Sequence, residues 1–419
     1  MINVKNIKEK FFNNRKVTEN YFFMTLSSVI SSLIGILIYP YVISSLGKDS
    51  FGLYVFAFSI VCFFNLIVAF GFDLPAMKMI VENKNDMKKK NAIMSSVFTA
   101  KVLMLMFATL LFSILCFSVP VIRSHKILYW ITYSQVSAEI LLPKFFFHAV
   151  QKMKPITYIQ LFFRVLTIPF ILIFIKNETQ IIEYAIIISS SVVLGGIVTT
   201  FILWKNEGIK LYFVSIKSLK PWFKDAFPFF LTSSMSVFKQ ESVTVVIGIF
   251  FQWSDVAIYD LANKIIILLR FITSSINSAL FPKVIANPNK YLIQKILRYE
   301  ILLGLAGVVF TIVFGYWMVL ILGGKTMIAA YPQAIILSIL ILSTLLASAY
   351  INFIFVQKEK YILVTQNQLI ALLAYLTFLA IGLLLCRNIT VVVGALAFSG
   401  IAEIFYCKYV TAKYKLLGH

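Results

Sequence analysis

The chain has 419 residues, of which 60% are hydrophobic, 16% aromatic and only 13% charged. Soluble domains usually contain about 45–50% apolar residues, so this composition excludes an ordinary soluble protein and predicts an integral membrane protein. The net charge of +21 would suit a nucleic-acid partner if the basic residues formed one patch.

The first predicted element is a short cytoplasmic helix at the membrane surface, residues 1–19. A mixture of basic and large apolar side chains, as found here, is typical of helices that lie in the interfacial region. These residues are Lys5, Ile7, Lys8, Lys10, Phe11, Phe12, Arg15 and Lys16.

Apolar segments of membrane-spanning length follow along the rest of the chain. A helix needs about 20 apolar residues to cross about 30 Å of hydrocarbon. By this measure twelve spans are predicted, at approximately 20–46, 51–72, 92–119, 127–150, 157–176, 182–204, 226–251, 258–281, 300–322, 333–356, 362–386 and 389–410. The chain is therefore predicted to be an all-α integral membrane protein with twelve transmembrane helices.

Lys and Arg residues fall mainly in alternate loops. The loops on one side, together with both termini, carry 26 of them, whereas the opposite loops carry about six. By the positive-inside rule, both termini and the long connection 205–225 face the cytoplasm. Membrane orientation thus accounts for most of the excess charge, and nucleic acid is not a predicted partner.

A short internal repeat divides the spans into two sets. Val150–Lys154 is echoed by Val356–Lys360 at an offset of 206 residues, and 51–57 is echoed by 256–262 at 205. Each set then holds six spans, and because six is even, both sets have the same orientation. This predicts two six-helix lobes related by a pseudo-twofold axis along the membrane normal.

The lobe boundaries follow from the spans and from the connection between them. That connection interleaves lysines with aliphatic and aromatic residues and is predicted to be a cytoplasmic interfacial segment that joins the two lobes. The predicted parts are the interfacial segment 1–19, the N-terminal lobe 20–204, the inter-lobe loop 205–225, the C-terminal lobe 226–410 and the cytoplasmic tail 411–419.

Charged residues inside the spans are the candidates for function, because an ionisable group in the membrane usually faces a protein interior or a water-filled cavity. Arg binds phosphate through a bidentate fork and Lys binds it as a point charge. A cavity lined by such residues would suit an anionic cargo. The predicted cavity cations are Lys101, Arg164, Lys239, Lys264 and Arg270.

Three carboxylates inside the spans have two open interpretations. Burial favours the protonated form of a carboxyl group, which a proton-coupled carrier would use. The same groups could equally be charge partners of the lysines, as Asp260 could be for Lys264 four residues later on the same helix face. The three are Glu139, Glu241 and Asp260.

Enzyme and metal signatures are absent from the sequence. The three histidines, His125, His148 and His419, cannot form an intramembrane His–carboxylate pair, and the four cysteines show no ligand spacing. No nucleotide-binding lysine motif occurs. The sequence predicts a protein that is not an enzyme and has no cofactor or metal.

Several short motifs carry a family resemblance. They are Leu46-Gly47, Phe51-Gly52 and Tyr54 in the first two spans, Pro143, Phe147 and Lys152-Met153 around the end of the fourth, and Tyr259, Ala262, Lys264, Ile265 and Pro282 in and after the eighth. Together they resemble the polysaccharide (O-antigen, Wzx-type) flippases, in the superfamily that also holds multidrug antiporters and lipid II flippases. Phe146 and Ala149 depart from the Trp and Gly of the family pattern.

The resemblance implies a function and partners. It implies a bacterial inner-membrane flippase that moves a polyprenyl-pyrophosphate-linked oligosaccharide to the outer leaflet by alternating access through a cationic inter-lobe cavity. Membrane lipid, a coupling proton or sodium ion, and a polysaccharide polymerase with its assembly proteins are the implied partners.

Two other functions stay open. A cation-coupled multidrug antiporter of the same superfamily would need an acidic or aromatic cavity. A membrane polymerase or acyltransferase would need a large external loop or a catalytic histidine.

Overall fold

The computed structural model describes the backbone of residues 4–286 and 290–416, with side chains except those of 4–22, 24, 25, 27, 28 and 272–286. Within these ranges the chain forms helices and no strand. The α-helices are α1 (Val4–Ala69), α2 (Asp73–Glu82), α3 (Met87–Ser118), α4 (Pro120–Ser124), α5 (Lys126–Tyr133), α6 (Ala138–Leu141), α7 (Lys144–Ala149), α8 (Met153–Phe174), α9 (Ile181–Glu207), α10 (Lys220–Phe250), α11 (Trp253–Ala286), α12 (Lys290–Gly323), α13 (Ala330–Tyr350), α14 (Tyr361–Leu385) and α15 (Ile389–Lys413).

The prediction of an all-α, multi-pass membrane protein is confirmed. In the described part of the chain, eight helical segments are long and apolar enough to cross a membrane. The first, Val29–Glu82, has 54 residues, more than twice the length that one crossing needs. Helices α10 and α11, which carry charged residues in their interiors, are not among the eight. The number twelve and the pseudo-twofold axis stay predictions.

Some predicted features lie outside the described residues. The side chains of the interfacial segment 1–19, that of Pro282 and residues 417–419 of the predicted tail are among them.

Gly47 breaks α1 between the first two predicted spans. Its backbone has φ 70° and ψ 164°, a conformation that a side chain disfavours and that glycine adopts readily. The break ends the first span and lets the chain enter the second without a loop.

The fourth predicted span, 127–150, is not one continuous helix. It consists of α5, a 3₁₀ turn at Ser134–Ser137, α6 and α7. Pro143 explains the break between α6 and α7, because proline has no N–H and disfavours a helical conformation in the preceding residue. Leu142 accordingly has φ −119° and ψ 74°.

By their internal contacts the residues divide into two compact units. Unit 1 comprises Met1–Ile38 and Ile60–Ser233, and unit 2 comprises Tyr39–Ser59 and Ser234–His419. The core of unit 1 joins the apolar face of α2 to α3 and to the three consecutive phenylalanines of α7. One core cluster of unit 2 joins the beginning of α12 to the end of α13 and to the last turns of α15.

The α1 segment in unit 2 packs tightly on α11. Tyr39 Oη donates to the Ala257 carbonyl at 3.4 Å, and the Ser254 N–H donates to Asp49 Oδ1 at 3.1 Å. A Cβ atom at Gly52 would lie 1.8 Å from the Trp253 carbonyl oxygen. The segments 51–57 and 256–262, which echo each other in sequence, therefore lie on two helices that meet in unit 2.

The repeat Val150–Lys154 and Val356–Lys360 marks two helix ends of the same kind. Gln151 (φ 57°) and Glu359 (φ 56°) both adopt the left-handed conformation. The N–H of each of these residues donates to the carbonyl three residues earlier, and the N–H of the following residue donates to the carbonyl five residues earlier. This pattern satisfies the last carbonyls of a helix. The equivalent residues, 151 and 359, are 208 apart, not 206, and a π-helical turn at Ile351–Phe355 precedes the second ending.

The close approach at Gly52 generates the first prediction. Gly52→Ala is expected to lower the free energy of unfolding by about 1–3 kcal/mol, the usual cost of overpacking, because the clash is with backbone atoms that cannot rotate away. The thermal unfolding midpoint in detergent measures this. Gly394→Ala is the matched control, since its Cβ would meet only a Phe378 ring atom at 4.0 Å. Equal shifts in both variants would contradict the assignment.

The left-handed helix ending generates the second prediction. Glu359→Gly is expected to raise the free energy of unfolding by about 1 kcal/mol, because glycine carries no Cβ to oppose the left-handed conformation. Lys358→Gly, one residue earlier, should lower it by about 0.5–1 kcal/mol through the cost of ordering a glycine. Urea titrations of both variants test this, and a stabilised Lys358→Gly would refute it.

Candidate functional site

A polar pocket of about 340 Å³ lies within unit 2. Its wall comes from α10, α11, α13 and α15, with three residues from α1, one from the π-helical turn at Ile351–Phe355 and one from α14. Four of the predicted site residues line it, namely Lys239, Arg270, Glu241 and Asp260. Its other polar lining residues are Ser59, Ser236, Gln240, Thr244, Tyr259, Asn263, Ser343, Thr344, Ser348, Gln368 and Glu403.

An ion pair between Lys239 and Glu403 crosses one side of the pocket. The Lys239 ammonium donates to Glu403 Oε1, and the two side chains are only 12% and 11% exposed. The residues lie 164 positions apart in sequence, so the pair joins α10 to α15. Glu403 was not among the predicted site residues, although an intramembrane carboxylate is a signal that could have identified it.

Lys264 does not line the pocket. Its ammonium bonds Asp260 on the same helix face, as the four-residue spacing allowed. The same group lies 4.7 Å from the ring centroid of Tyr39 and 5.3 Å from that of Phe51. The contacts with Asp260 and the two aromatic rings compensate the cost of burying this charge.

The lining of the pocket has mixed charge. Lys239 and Arg270 are its two cations, and Glu241, Asp260 and Glu403 are its three carboxylates. This lining is not the basic one that was expected of a cargo cavity. That expectation concerned a cavity formed by both halves of the chain, and it stays a prediction.

Lys101 belongs to a different site, in unit 1. Pro143 has no N–H, so the carbonyl of Glu139, four residues earlier, lacks its usual helical donor. Lys101 Nζ donates to that carbonyl at 3.1 Å and to Asp73 Oδ1 at 2.7 Å, and lies 3.8 Å from Glu139 Oε2. Lys101 is 3% exposed. It therefore joins three helices at the interruption of the fourth span.

A second carbonyl at the break between α6 and α7 also receives a hydrogen bond from a side chain. Thr200 Oγ1 donates to the carbonyl of Leu141 at 2.6 Å, just before the chain leaves α6. The cavity beside Lys101 measures only about 30 Å³, which is room for one or two water molecules. It has no space for a phosphate group.

Arg164 lies apart from both sites. It is exposed on α8 in unit 1 and lines neither the pocket of unit 2 nor the small cavity beside Lys101. Lys144 is likewise exposed, at the start of α7. In the described ranges, no three His, Cys, Asp or Glu side chains are grouped in a way that could hold a metal ion.

Sequence comparison identifies the family. The family model described as "Polysaccharide biosynthesis protein" matches residues 17–287. A relative from Escherichia coli (strain K12), described as "Putative O-antigen transporter", is 21% identical over 272 residues. That match covers 65% of this chain and 66% of the relative, slightly less than two thirds of its length.

Solved structures show the same fold. The lipid II flippase MurJ in an inward closed conformation superposes with a TM-score of 0.75 at 16% identity, covering 94% of this chain and 87% of that one. An inward-facing multidrug resistance MATE family transporter of the MOP superfamily superposes with a TM-score of 0.65 at 11% sequence identity. This superposition covers 94% of this chain and 95% of the transporter. At these identities the likeness concerns the fold alone.

The comparisons confirm the predicted resemblance to the flippases of this superfamily, and the matched proteins are described as transporters or flippases, not as enzymes. The family match extends over well more than half of the residues. The chain therefore belongs to the polysaccharide biosynthesis protein family.

Proposed function

We propose that the protein is a flippase that moves a polyprenyl-pyrophosphate-linked oligosaccharide, an O-antigen or capsule repeat unit, from the cytoplasmic to the outer leaflet of the bacterial inner membrane. Family membership and the Escherichia coli relative support this class of substrate. The observation that carries the proposal is the polar pocket of unit 2, where Lys239 and Arg270 lie beside the apolar helices α13 and α15.

The two cations suit a pyrophosphate group in different ways. Arg270 would bind two phosphate oxygens with its planar fork, and Lys239 would add a point charge. The hydroxyls and amides of Ser236, Gln240 and Asn263, which line the same pocket, would donate to phosphate or sugar oxygens. Such neutral donors are the groups that recognise uncharged sugars.

The Lys239–Glu403 pair supplies an exchange mechanism. A phosphate that binds the Lys239 ammonium would displace Glu403 from it. The poorly exposed Glu403 carboxylate would then lose this hydrogen-bonded partner, and such a charge is costly to bury. Uptake of a proton or a sodium ion at Glu403, or at Glu241 or Asp260 in the same pocket, would remove that cost. Cargo and ion would then bind to the pocket together, which would couple the movement of one to that of the other.

The remaining parts of the mechanism follow from the predicted topology. With both termini in the cytoplasm, the cargo enters from the cytoplasmic leaflet while its lipid tail stays in the bilayer. The two lobes rock to open a cationic cavity between them to one leaflet at a time. A polysaccharide polymerase and its assembly proteins would receive the product outside.

A second candidate is a cation-coupled multidrug antiporter. The likeness to MATE transporters and the excess of carboxylates over cations in the pocket both favour it. The two candidates require opposite cargo charge, so they can be separated by one transport assay.

Reconstituted vesicles provide that assay. Protein-containing vesicles are loaded symmetrically with a fluorescent undecaprenyl-pyrophosphate-linked sugar, and an impermeant reductant then measures how much becomes accessible outside. We expect faster exposure than in protein-free vesicles. Transport of a cationic dye without movement of the lipid-linked sugar would establish the antiporter instead.

Arg270 provides the third prediction. Arg270→Gln is expected to slow flipping at least about tenfold, because hydrogen bonds to charged groups contribute about 1.5–3 kcal/mol. Arg270→Lys keeps the charge but loses the fork and should be intermediate. Lys358→Gln removes an exposed charge outside the pocket and should have no effect. Undiminished flipping by a correctly inserted Arg270→Gln protein would exclude Arg270 from the cargo site.

The ion pair provides the fourth prediction. Lys239→Gln alone should lower the thermal unfolding midpoint, because it removes the hydrogen-bonded ammonium from the poorly exposed Glu403 carboxylate. Lys239→Gln combined with Glu403→Gln removes both charges and should restore the midpoint while flipping stays slow. A double variant that flips normally would show that the pair stabilises the fold and takes no part in transport.

A further inference from the structure

A second polar cleft lies at one end of unit 2, about 320 Å³ in volume and separate from the polar pocket. Its side chains come from the first turns of α12, the end of α13, the last turns of α15 and the turn that follows α15. They are Lys290, Gln294, Tyr350, Lys408, Thr411 and Lys415, with Ala412 between them. The predicted topology places this end of the helices at the cytoplasmic surface.

The charge of this cleft is of one sign. Lys290, Lys408 and Lys415 contribute three ammonium groups, and none of the described residues that line the cleft carries a carboxylate. This differs from the pocket of unit 2, where carboxylates outnumber cations. A concave surface lined by three cations, with no carboxylate among its described lining residues, attracts an anion.

Neutral donors are present beside the lysines. Tyr350 and Gln294 line the cleft and can donate to an oxyanion. The hydroxyl of Thr411 is buried and has no hydrogen-bond partner among the described residues. This buried hydroxyl beside the cations is a second indication of a ligand with acceptor oxygens.

Each of the three lysines has a tyrosine beside it in sequence. Tyr291, Tyr409 and Tyr414 are 71%, 61% and 57% exposed. Tyrosine is enriched where a membrane protein meets the headgroup region, because its ring is apolar and its hydroxyl is polar. The tyrosines therefore favour a lipid headgroup over a soluble anion as the occupant.

The backbone holds Lys415 in an unusual place. Lys415 has φ 47°, and its N–H and that of Leu416 bond the carbonyls of Ala412 and Thr411 at 3.2 and 3.1 Å. This is the helix ending found at Gln151 and Glu359, a position where glycine is favoured. A lysine here brings a cation to the cleft at some cost in conformational energy.

We propose that this lysine cleft binds the phosphate group of an anionic phospholipid in the cytoplasmic leaflet. Basic pockets between transmembrane helices on the cytoplasmic side are suited to such headgroups. Phosphatidylglycerol is the simplest lipid of this chemistry, with one phosphate and a net negative charge. The site is separate from the cargo pocket, and its occupancy does not depend on the proposed function.

Lipid binding by the purified full-length chain in detergent tests the proposal. The anisotropy of a tail-labelled phosphatidylglycerol is measured against protein concentration, with phosphatidylcholine as the zwitterionic comparison. We expect a clear preference for phosphatidylglycerol. Replacing Lys290, Lys408 and Lys415 by Gln together should weaken its binding about a hundredfold, since each lysine near an anionic surface contributes a factor of about five.

A charge-matched control separates the cleft from general attraction. Lys295, Lys358 and Lys360 are exposed lysines of unit 2 that do not line the cleft, and their triple replacement by Gln should leave affinity within about twofold. Equal loss in both triple variants would overturn the proposal. So would equal binding of phosphatidylcholine, or displacement of the lipid by an equal concentration of inorganic pyrophosphate, which would indicate a site for soluble phosphate.

Lys415→Gly distinguishes binding from a structural role. Glycine suits the left-handed conformation, so the thermal unfolding midpoint should not fall, whereas phosphatidylglycerol affinity should fall about fivefold. Unchanged affinity, or a loss that appears only with a lower unfolding midpoint, would remove Lys415 from the site.

Discussion

A charge or a backbone carbonyl without a partner is costly in an apolar interior, and both units of this protein are built around that cost. In unit 1, Pro143 removes a helical donor, and Lys101 replaces it at the Glu139 carbonyl while also pairing with Asp73. In unit 2, Lys239 and Glu403 compensate each other between α10 and α15. Charges inside these helices thus connect elements that are far apart in sequence.

Three lysines of this protein differ in the number of groups that already bind their ammonium and in the space beside it. Lys101 is held by a carbonyl and two carboxylates beside a cavity too small for cargo, and these contacts join three helices. Lys239 has one carboxylate partner and borders a pocket of about 340 Å³, where a phosphate could compete for it. Lys408 lies in a cleft whose described lining has no carboxylate, which leaves its charge available to an external anion.

The mixed charge of the unit 2 pocket has a consequence for the proposed transport function. A purely basic pocket would bind an anionic cargo tightly and release it slowly. Under the proposed function, carboxylates beside the cations would compete with the cargo for those cations, so protonation or ion binding would shift the balance between the bound and released states. The fold is shared with MurJ and MATE transporters, so under the proposed function the side chains of the pocket, and not the fold, would determine the charge of the cargo.

The sequence by itself determined the membrane class, the approximate position of the helices, and the family, because hydropathy, span length and short motifs are local properties. It also indicated which charges lie inside spans, and the spacing of Asp260 and Lys264 anticipated their contact. Only the tertiary structure decided that Lys101 compensates the break at Pro143 and that Lys239 pairs with Glu403. The first contact joins residues 38 positions apart and the second residues 164 apart, and no local pattern specifies such pairings, because they depend on which helix faces pack together.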